Sequence, residues 1–150
     1  MIRGKIDSNP EVLNQLHQIH PWVPSGSQIR PSKSTLEIKR QEMSTNFYDI
    51  NLFSEQLFGV GWSEAQNGKG KSKTFQPNKY PYDVSPKTHH YIIWYPYRNN
   101  FLTDEQITQD ILEEIKCLVG SESGFDFCWY ENPKMTIADI YHVQVFWTRF

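Results

Sequence analysis

Histidine is the side chain best suited to proton transfer or nucleophilic attack near neutral pH, and this chain carries five. His89 and His90 open the run HHYIIWYPY, which reads as a strand, so one imidazole falls on each side of a sheet. His142 lies in a second run, YHVQVFW, where His142, Gln144 and Phe146 share one face. If the two strands are neighbours, His90 or His89 approaches His142, because opposed side chains on paired strands stand about 4.5–5.5 Å apart at Cβ. Two imidazoles beside Asn132 and Gln144 suit a phosphate or carboxylate ligand, with His142 as nucleophile or general base and His90 as acid. The competing reading makes each strand histidine a hydrogen-bonded structural residue. His17 and His20 have no acid or metal-spaced partner nearby and are expected at the surface. No HxxxH or HxH pattern is present, so neither a metal nor another cofactor is expected.

A second group is basic. The stretch GVGWSEAQNGKGKSKTFQP sets Lys69, Lys71 and Lys73 on alternate positions and has no apolar periodicity, so residues 61–77 are expected to be a flexible, exposed loop. It is read either as a solvated connection or as a flap facing a phosphate; it does not match the GxxxxGK[ST] cradle. Trp62 sits in the same stretch, where its ring can stack on a nucleobase while the lysines take the phosphates.

These groups need a scaffold. Asn9 and Pro10 cap and start a first helix, with Val12, Leu13, Leu16 and Ile19 on one face before Pro21. Pro24 to Pro31 is turn chemistry, after which Ser32 or Ser34 caps a second helix through Leu36, Ile38 and Met43. Asn51 is read as the cap of a third, which carries Leu52, Phe53, Leu57 and Phe58 and ends at Gly59. The HHYIIWYPY strand is ended by Pro96, Arg98, Asn99 and Asn100. Thr103 and Gln106 then form a capping box for the best-defined helix, whose stripe of Ile107, Ile111, Leu112, Ile115, Leu118 and Val119 runs to a left-handed cap at Gly120. Phe125, Phe127 and Trp129 alternate with Asp126, Cys128 and Tyr130 as a half-buried strand, broken at Asn132 and Pro133. The last strand spans Tyr141 to Trp147.

The sum is one α+β domain over residues 1–150: a helical part to residue 60, the basic loop, and a strand–helix–strand–strand core over 78–150. Its sheet is mainly antiparallel, aromatic-rich and covered by one long helix. With 38% hydrophobic and 15% aromatic residues, much of the core must be rings. The net charge of −2 hides 12 Lys/Arg against 8 Asp/Glu in residues 1–100 and 3 against 9 in residues 101–150. That balance argues against duplex DNA binding by phosphate neutralisation, while a small phosphorylated ligand, a nucleotide or an RNA end remains compatible. Cys117 and Cys128 are expected to be reduced core thiols. The first nine residues lack the apolar run of a signal peptide and no segment suits a membrane span, so a cytoplasmic protein is expected.

From Asn78 to Trp147 the chain resembles an uncharacterised family typified by the fungal N-acetylglucosamine-induced protein, with members in algae and large DNA viruses. The resemblance rests on Asn78, Tyr80, Pro81 and Tyr82; on His90 followed by Trp94; on Trp129, Tyr130 and Asn132; and on His142, Val143, Gln144 and Val145, with Gln144 in place of a second histidine. It implies that His90, Asn132 and His142 belong to one pattern, and it adds Tyr82 to the ligand-binding set. More distantly the chain is similar to the histidine triad nucleotide hydrolases and transferases. Their triad alternates three histidines and uses the middle one on a phosphorus atom, where this chain has Ile140, His142 and Gln144; depending on the register, His142 is either the nucleophile with a Gln partner or a residue flanking a lost nucleophile. The expected function is nucleotide or sugar-phosphate binding, with phosphoester hydrolysis or transfer through His142 and His90. The alternatives are a non-catalytic module that stacks a nucleobase such as an mRNA cap on Trp62, and a protein-interaction domain.

Overall fold

The structure, a computed structural model, describes residues 1–45, 49–97, 102–120, 122–132 and 139–150, the side chains of 43–45 excepted. The side chain of Met43 and the strand terminators Arg98, Asn99, Asn100 and Pro133 fall outside these. The elements run β1 (Gly4–Lys5), α1 (Pro10–Ile19), α2 (Lys33–Thr45), α3 (Ile50–Phe58), α4 (Trp62–Gln66), β2 (Thr74–Pro77), β3 (His89–Trp94), α5 (Asp104–Val119), β4 (Phe125–Tyr130) and β5 (His142–Arg149). The five strands form one sheet in the order β1-β4-β5-β3-β2, antiparallel except where β1 runs parallel to β4. The chain is thus an α+β fold.

Local chemistry sets the helix ends. Asn9 Oδ1 accepts the Glu11 N–H at 2.9 Å with Pro10 in the first turn, and Thr103 Oγ1 accepts the Gln106 N–H at 3.1 Å. Ser32 Oγ accepts the Thr35 N–H at 3.3 Å, which makes Ser32 the cap of α2. Asp49, and not Asn51, caps α3, its Oδ1 accepting the Asn51 and Leu52 N–H groups; Asn51 instead accepts the Trp62 N–H at 3.1 Å. Gly59 ends α3 at φ 83° and ψ 0°, the left-handed cap expected of it. Gly120 has φ 87° but ψ 154°, so it turns the chain away without the expected left-handed helical conformation.

Period two assigns the sheet faces. Tyr91, Ile93, Phe127, Trp129, Val143, Val145 and Trp147 meet Ile107, Ile111 and Ile115 of α5 in one core. Leu118, placed on the same helical stripe by sequence, is exposed, as is Ile19 of α1. The opposite face carries Ile92 and Trp94 under α3 and α4, and Cys128, Tyr130 and Phe146 under α1 and its flanks. β4 is therefore buried at every position, and the half-buried expectation fails because the amino-terminal third covers its second face.

Residues 61–77 are not one flexible loop. Trp62–Gln66 is helical, and Thr74–Pro77 pairs antiparallel with β3, Thr74 opposite Trp94. Between them the backbone is pinned: Lys69 N–H donates to Glu64 O and Lys71 N–H to Phe58 O, both at 3.0 Å. Gly70 is required there, since its φ is 78° and an added Cβ would sit 2.5 Å from Phe58 O.

Candidate functional site: a polar seam on the helix-covered face

His90, His142 and Gln144 all lie on the face away from α5, and the register decides how they meet. His90 pairs with Phe146 and His142 with Trp94, so the two imidazoles are four residues, or about 13 Å, apart along the strands. The expected contact of opposed imidazoles does not form. His89 faces the α5 side and stacks on Trp147 at 4.1 Å.

What forms instead is a closed network about His90. Tyr82 N–H donates to His90 Nδ1 at 3.0 Å, and a backbone N–H can only donate, so Nδ1 is unprotonated and Nε2 carries the hydrogen. Nε2 then donates to Gln144 Oε1 at 2.5 Å. Asn78 is fixed by the same logic: its Oδ1 accepts the Tyr80 N–H at 2.8 Å, leaving its NH2 to donate to Gln144 Oε1 at 3.2 Å. The 3.3 Å approach of Asn78 Nδ2 to His90 Nε2 is a contact between two donors converging on one oxygen. His90 is also held between rings, with Phe146 at 4.4 Å and Tyr82 at 4.6 Å. Burial lowers its pKa to about 4, against a smaller raising effect of Gln144. With both nitrogens committed and the ring neutral, His90 has no proton to give as the expected acid; it holds structure.

His142 is arranged differently. Its Nδ1 lies 2.8 Å from Ile140 O, and a carbonyl can only accept, so Nδ1 carries the hydrogen and Nε2 keeps its lone pair. Nε2 has no hydrogen-bond partner among the described residues. The ring packs on Trp94 at 4.2 Å, and burial holds its pKa below the usual imidazole value, which keeps it unprotonated at neutral pH. Trp94 Nε1 beside it is a buried donor without a partner among the described residues, and Tyr130 stands opposite Gln144 on β4. Side chains of His142 and Gln144 sit two residues apart on one strand, about 7 Å, one presenting a lone pair and the other an amide.

The remaining expected site residues divide. Asn132 Nδ2 donates to the Tyr82 hydroxyl at 3.4 Å, so Asn132, Tyr82, His90 and Gln144 do come together. Trp62 is half-buried against the cluster of Leu57, Phe58, Ile92 and Trp94, packed down and not offered as an open stacking ring. Lys69 and Lys71 are exposed, at the end of the sheet where Thr74, Trp94 and His142 stand in one row. Lys73 is turned to the other face, its Nζ 3.7 Å from Asp110 of α5. That buried carboxylate also accepts from Tyr95 Oη and Gln106 Nε2, each at 2.8 Å, a cluster missed in the sequence because a lone Asp on an amphipathic helix looks solvated. His17 and His20 are half-buried, His17 Nδ1 lying 2.6 Å from Val23 O. Cys117 is exposed, contrary to its expected place in the core, and Cys128 is buried. Among the described residues no three His, Cys, Asp or Glu side chains converge to hold a metal ion, and no helix is long and apolar enough to cross a membrane.

Two open hollows, of about 470 and 520 Å³, lie elsewhere, one at Asn51, Glu55 and Glu64 between α3 and α4, the other at Lys5, Asp7 and Glu131 beside β1. His142 and Gln144 are 5% and 4% exposed, so both are covered in this structure and a ligand reaches them only if that cover opens.

The class defined so far is an α+β domain with a buried polar seam between two apolar clusters. No family model matches the chain, and no curated protein matches it. Among solved structures it is similar to one described as the crystal structure of HTC1, with a TM-score of 0.50 and 15% identity, over 93% of this chain and 84% of that one. At that identity the likeness concerns the fold alone.

Proposed function

We propose that the chain binds a nucleotide or sugar-phosphate with its phosphoryl group at His142 and Gln144, and that it hydrolyses or transfers that group. The observation that carries this is the state of His142: Nδ1–H tied to the Ile140 carbonyl and a lone pair on Nε2 that has no partner among the described residues. A neutral imidazole oriented in this way is a nucleophile ready to use. In the step proposed, Nε2 bonds to phosphorus as the bond to the leaving-group oxygen breaks, and that oxygen takes a proton from water. The Ile140 carbonyl stabilises the positive charge left on the ring. Water then attacks the phosphohistidine, loses a proton to solvent and frees Nε2. The Gln144 amide is the nearest donor for a non-bridging oxygen, and Lys69 and Lys71 stand at the same end of the sheet. The position of His142 in the Ile140–His142–Gln144 alternation, which resembles the middle of the histidine triad, supports the same role.

The test is a panel of nucleotides and sugar phosphates followed by 31P NMR, with an acid quench for an acid-labile, base-stable phosphoprotein. Turnover and trapping are expected in the wild type, with His142→Ala losing both while keeping the ligand-induced rise in melting temperature. If no member of the panel is turned over or raises the melting temperature, the reading is wrong and the protein-interaction alternative takes its place.

A further inference from the structure

We infer that Asn78 is a positioning residue which, with His90, sets the Gln144 side-chain amide so that its NH2, and not its oxygen, faces the His142 side; the inference rests on the phosphoryl-group reading above. The chain of reasoning begins at two backbone N–H groups, whose direction is never ambiguous. Tyr80 N–H obliges Asn78 Oδ1 to accept, and Tyr82 N–H obliges His90 Nδ1 to accept. Both side chains are thereby left with only N–H groups to offer, and both offer them to Gln144 Oε1, at 3.2 and 2.5 Å. An amide whose oxygen is taken on one side presents its NH2 on the other. Asn78 and His90 approach from the β3 side and the Phe146 end, so the NH2 is left toward His142 and toward Tyr130, opposite Gln144 on β4.

The consequence for chemistry is one of sign. An amide oxygen turned toward a phosphoryl group repels the charge that builds on its oxygens, whereas an NH2 stabilises it, and one such donor is worth about 10²–10³ in kcat. The turn at residues 78–82 therefore acts on the reacting group without touching it.

Asn78→Asp and Asn78→Ala separate this role from a merely structural one. The aspartate keeps the acceptor for Tyr80 N–H but replaces the donor with a second acceptor, which competes for His90 Nε2–H and draws the Gln144 NH2 toward itself. Alanine removes every bond of the side chain but leaves His90 holding Oε1. Positioning predicts that Asn78→Asp lowers kcat about a hundredfold with little change in KM, and Asn78→Ala about tenfold. A structural role predicts the reverse order, alanine being the worse, and that order would overturn the inference. A second measurement is independent of turnover: in full-length protein labelled with 15N at glutamine and asparagine side chains, the Gln144 NH2 protons should show NOEs to the His142 ring in the wild type. In Asn78→Asp those NOEs should be replaced by others to the His90 ring. Wild-type NOEs from the Gln144 NH2 to His90 with none to His142 sink the inference whatever the activity. Wild-type NOEs to His142 with no turnover on any phosphate ester uphold the amide orientation and sink the phosphoryl-group reading.

Discussion

His90 shows how one residue's environment becomes a pH dependence of the whole fold. Its imidazole has an ordinary value of 6.5 in the unfolded chain and about 4 in the folded one, because burial between Phe146 and Tyr82 penalises the charged form. Between those values the unfolded chain binds a proton that the native state refuses. Stability is therefore complete above about pH 6.5 and falls as the pH drops toward 4, by roughly 3 kcal/mol at the low end for this group. His142, whose pKa is lowered by burial as well, adds to the same slope. In urea titrations at pH 7 and pH 4.5, His90→Gln should cost more at pH 7 than at pH 4.5, because the variant lacks the proton uptake that weakens the wild type in acid. An equal cost at both pH values, or an imidazole NMR titration of His90 centred near 6.5, would contradict the neutral, committed ring. The sequence made part of this legible. Alternation along HHYIIW and HVQVF is enough to put His90, His142 and Gln144 on one face. The register that sets Trp94 opposite His142, and the donors that tie down His90, come from β3–β5 pairing and from a turn eight residues upstream, neither of which has a local signal.

At the scale of elements, what could be read was what local chemistry alone decides. The Thr103 cap and isoleucine stripe of α5 belong to this kind, as do the Asn9–Pro10 start of α1 and the Gly59 end of α3, whereas the Gln106 side chain expected to complete a capping box donates to Asp110. β1 and β2 were not legible. β2 has four residues ending in proline, tolerable because it is the sheet edge, and β1 has two that are strand only because β4 lies beside them. The partner that makes β1 possible is Asp126. Its Oδ2 accepts the Ile2 N–H at 2.9 Å, and Arg3, held at a φ of 98°, donates its N–H to Phe127 O at 2.7 Å and its guanidinium to Phe125 O at 2.8 Å. Asp126→Ala should cost about 2–3 kcal/mol and free this edge, because buried hydrogen bonds to a carboxylate are the stronger ones. The matching observation is loss of hydrogen-exchange protection at the Arg3 and Ile6 amides, which pair with β4, while β3 and β5 stay protected. The pinned turn before β2 makes a separate case. Gly70→Ala meets both a positive φ and Phe58 O, whereas Gly68→Ala meets the positive φ with open space around it. Thermal melts should therefore rank Gly70→Ala below Gly68→Ala, with a loss of about 2 kcal/mol or more for the former and about 1 kcal/mol for the latter.

Across the whole molecule, the sequence suggests a helical part and a sheet core joined by a loop, and packing removes that division. The sheet face away from α5 carries Ile92, Trp94, Cys128, Tyr130 and Phe146, all buried, and what buries them is α1, α3, α4 and the segments between. Neither part has a closed core without the other, because a sheet with two apolar faces needs a layer on each. Unfolding should accordingly be one transition, with tryptophan fluorescence and far-ultraviolet circular dichroism superimposing. The two thiols supply a sharper probe, since Cys117 is exposed on α5 and Cys128 is buried under the amino-terminal cover. One thiol should react with a disulfide reagent within the mixing time. The second should react only as fast as the cover opens, and its rate should rise with urea along the slope measured for global unfolding. A shallower slope for Cys128 would mean that the amino-terminal layer lifts off by itself. In that event the layer is an independently moving lid over His142 and Gln144, and the fold is two cooperative units.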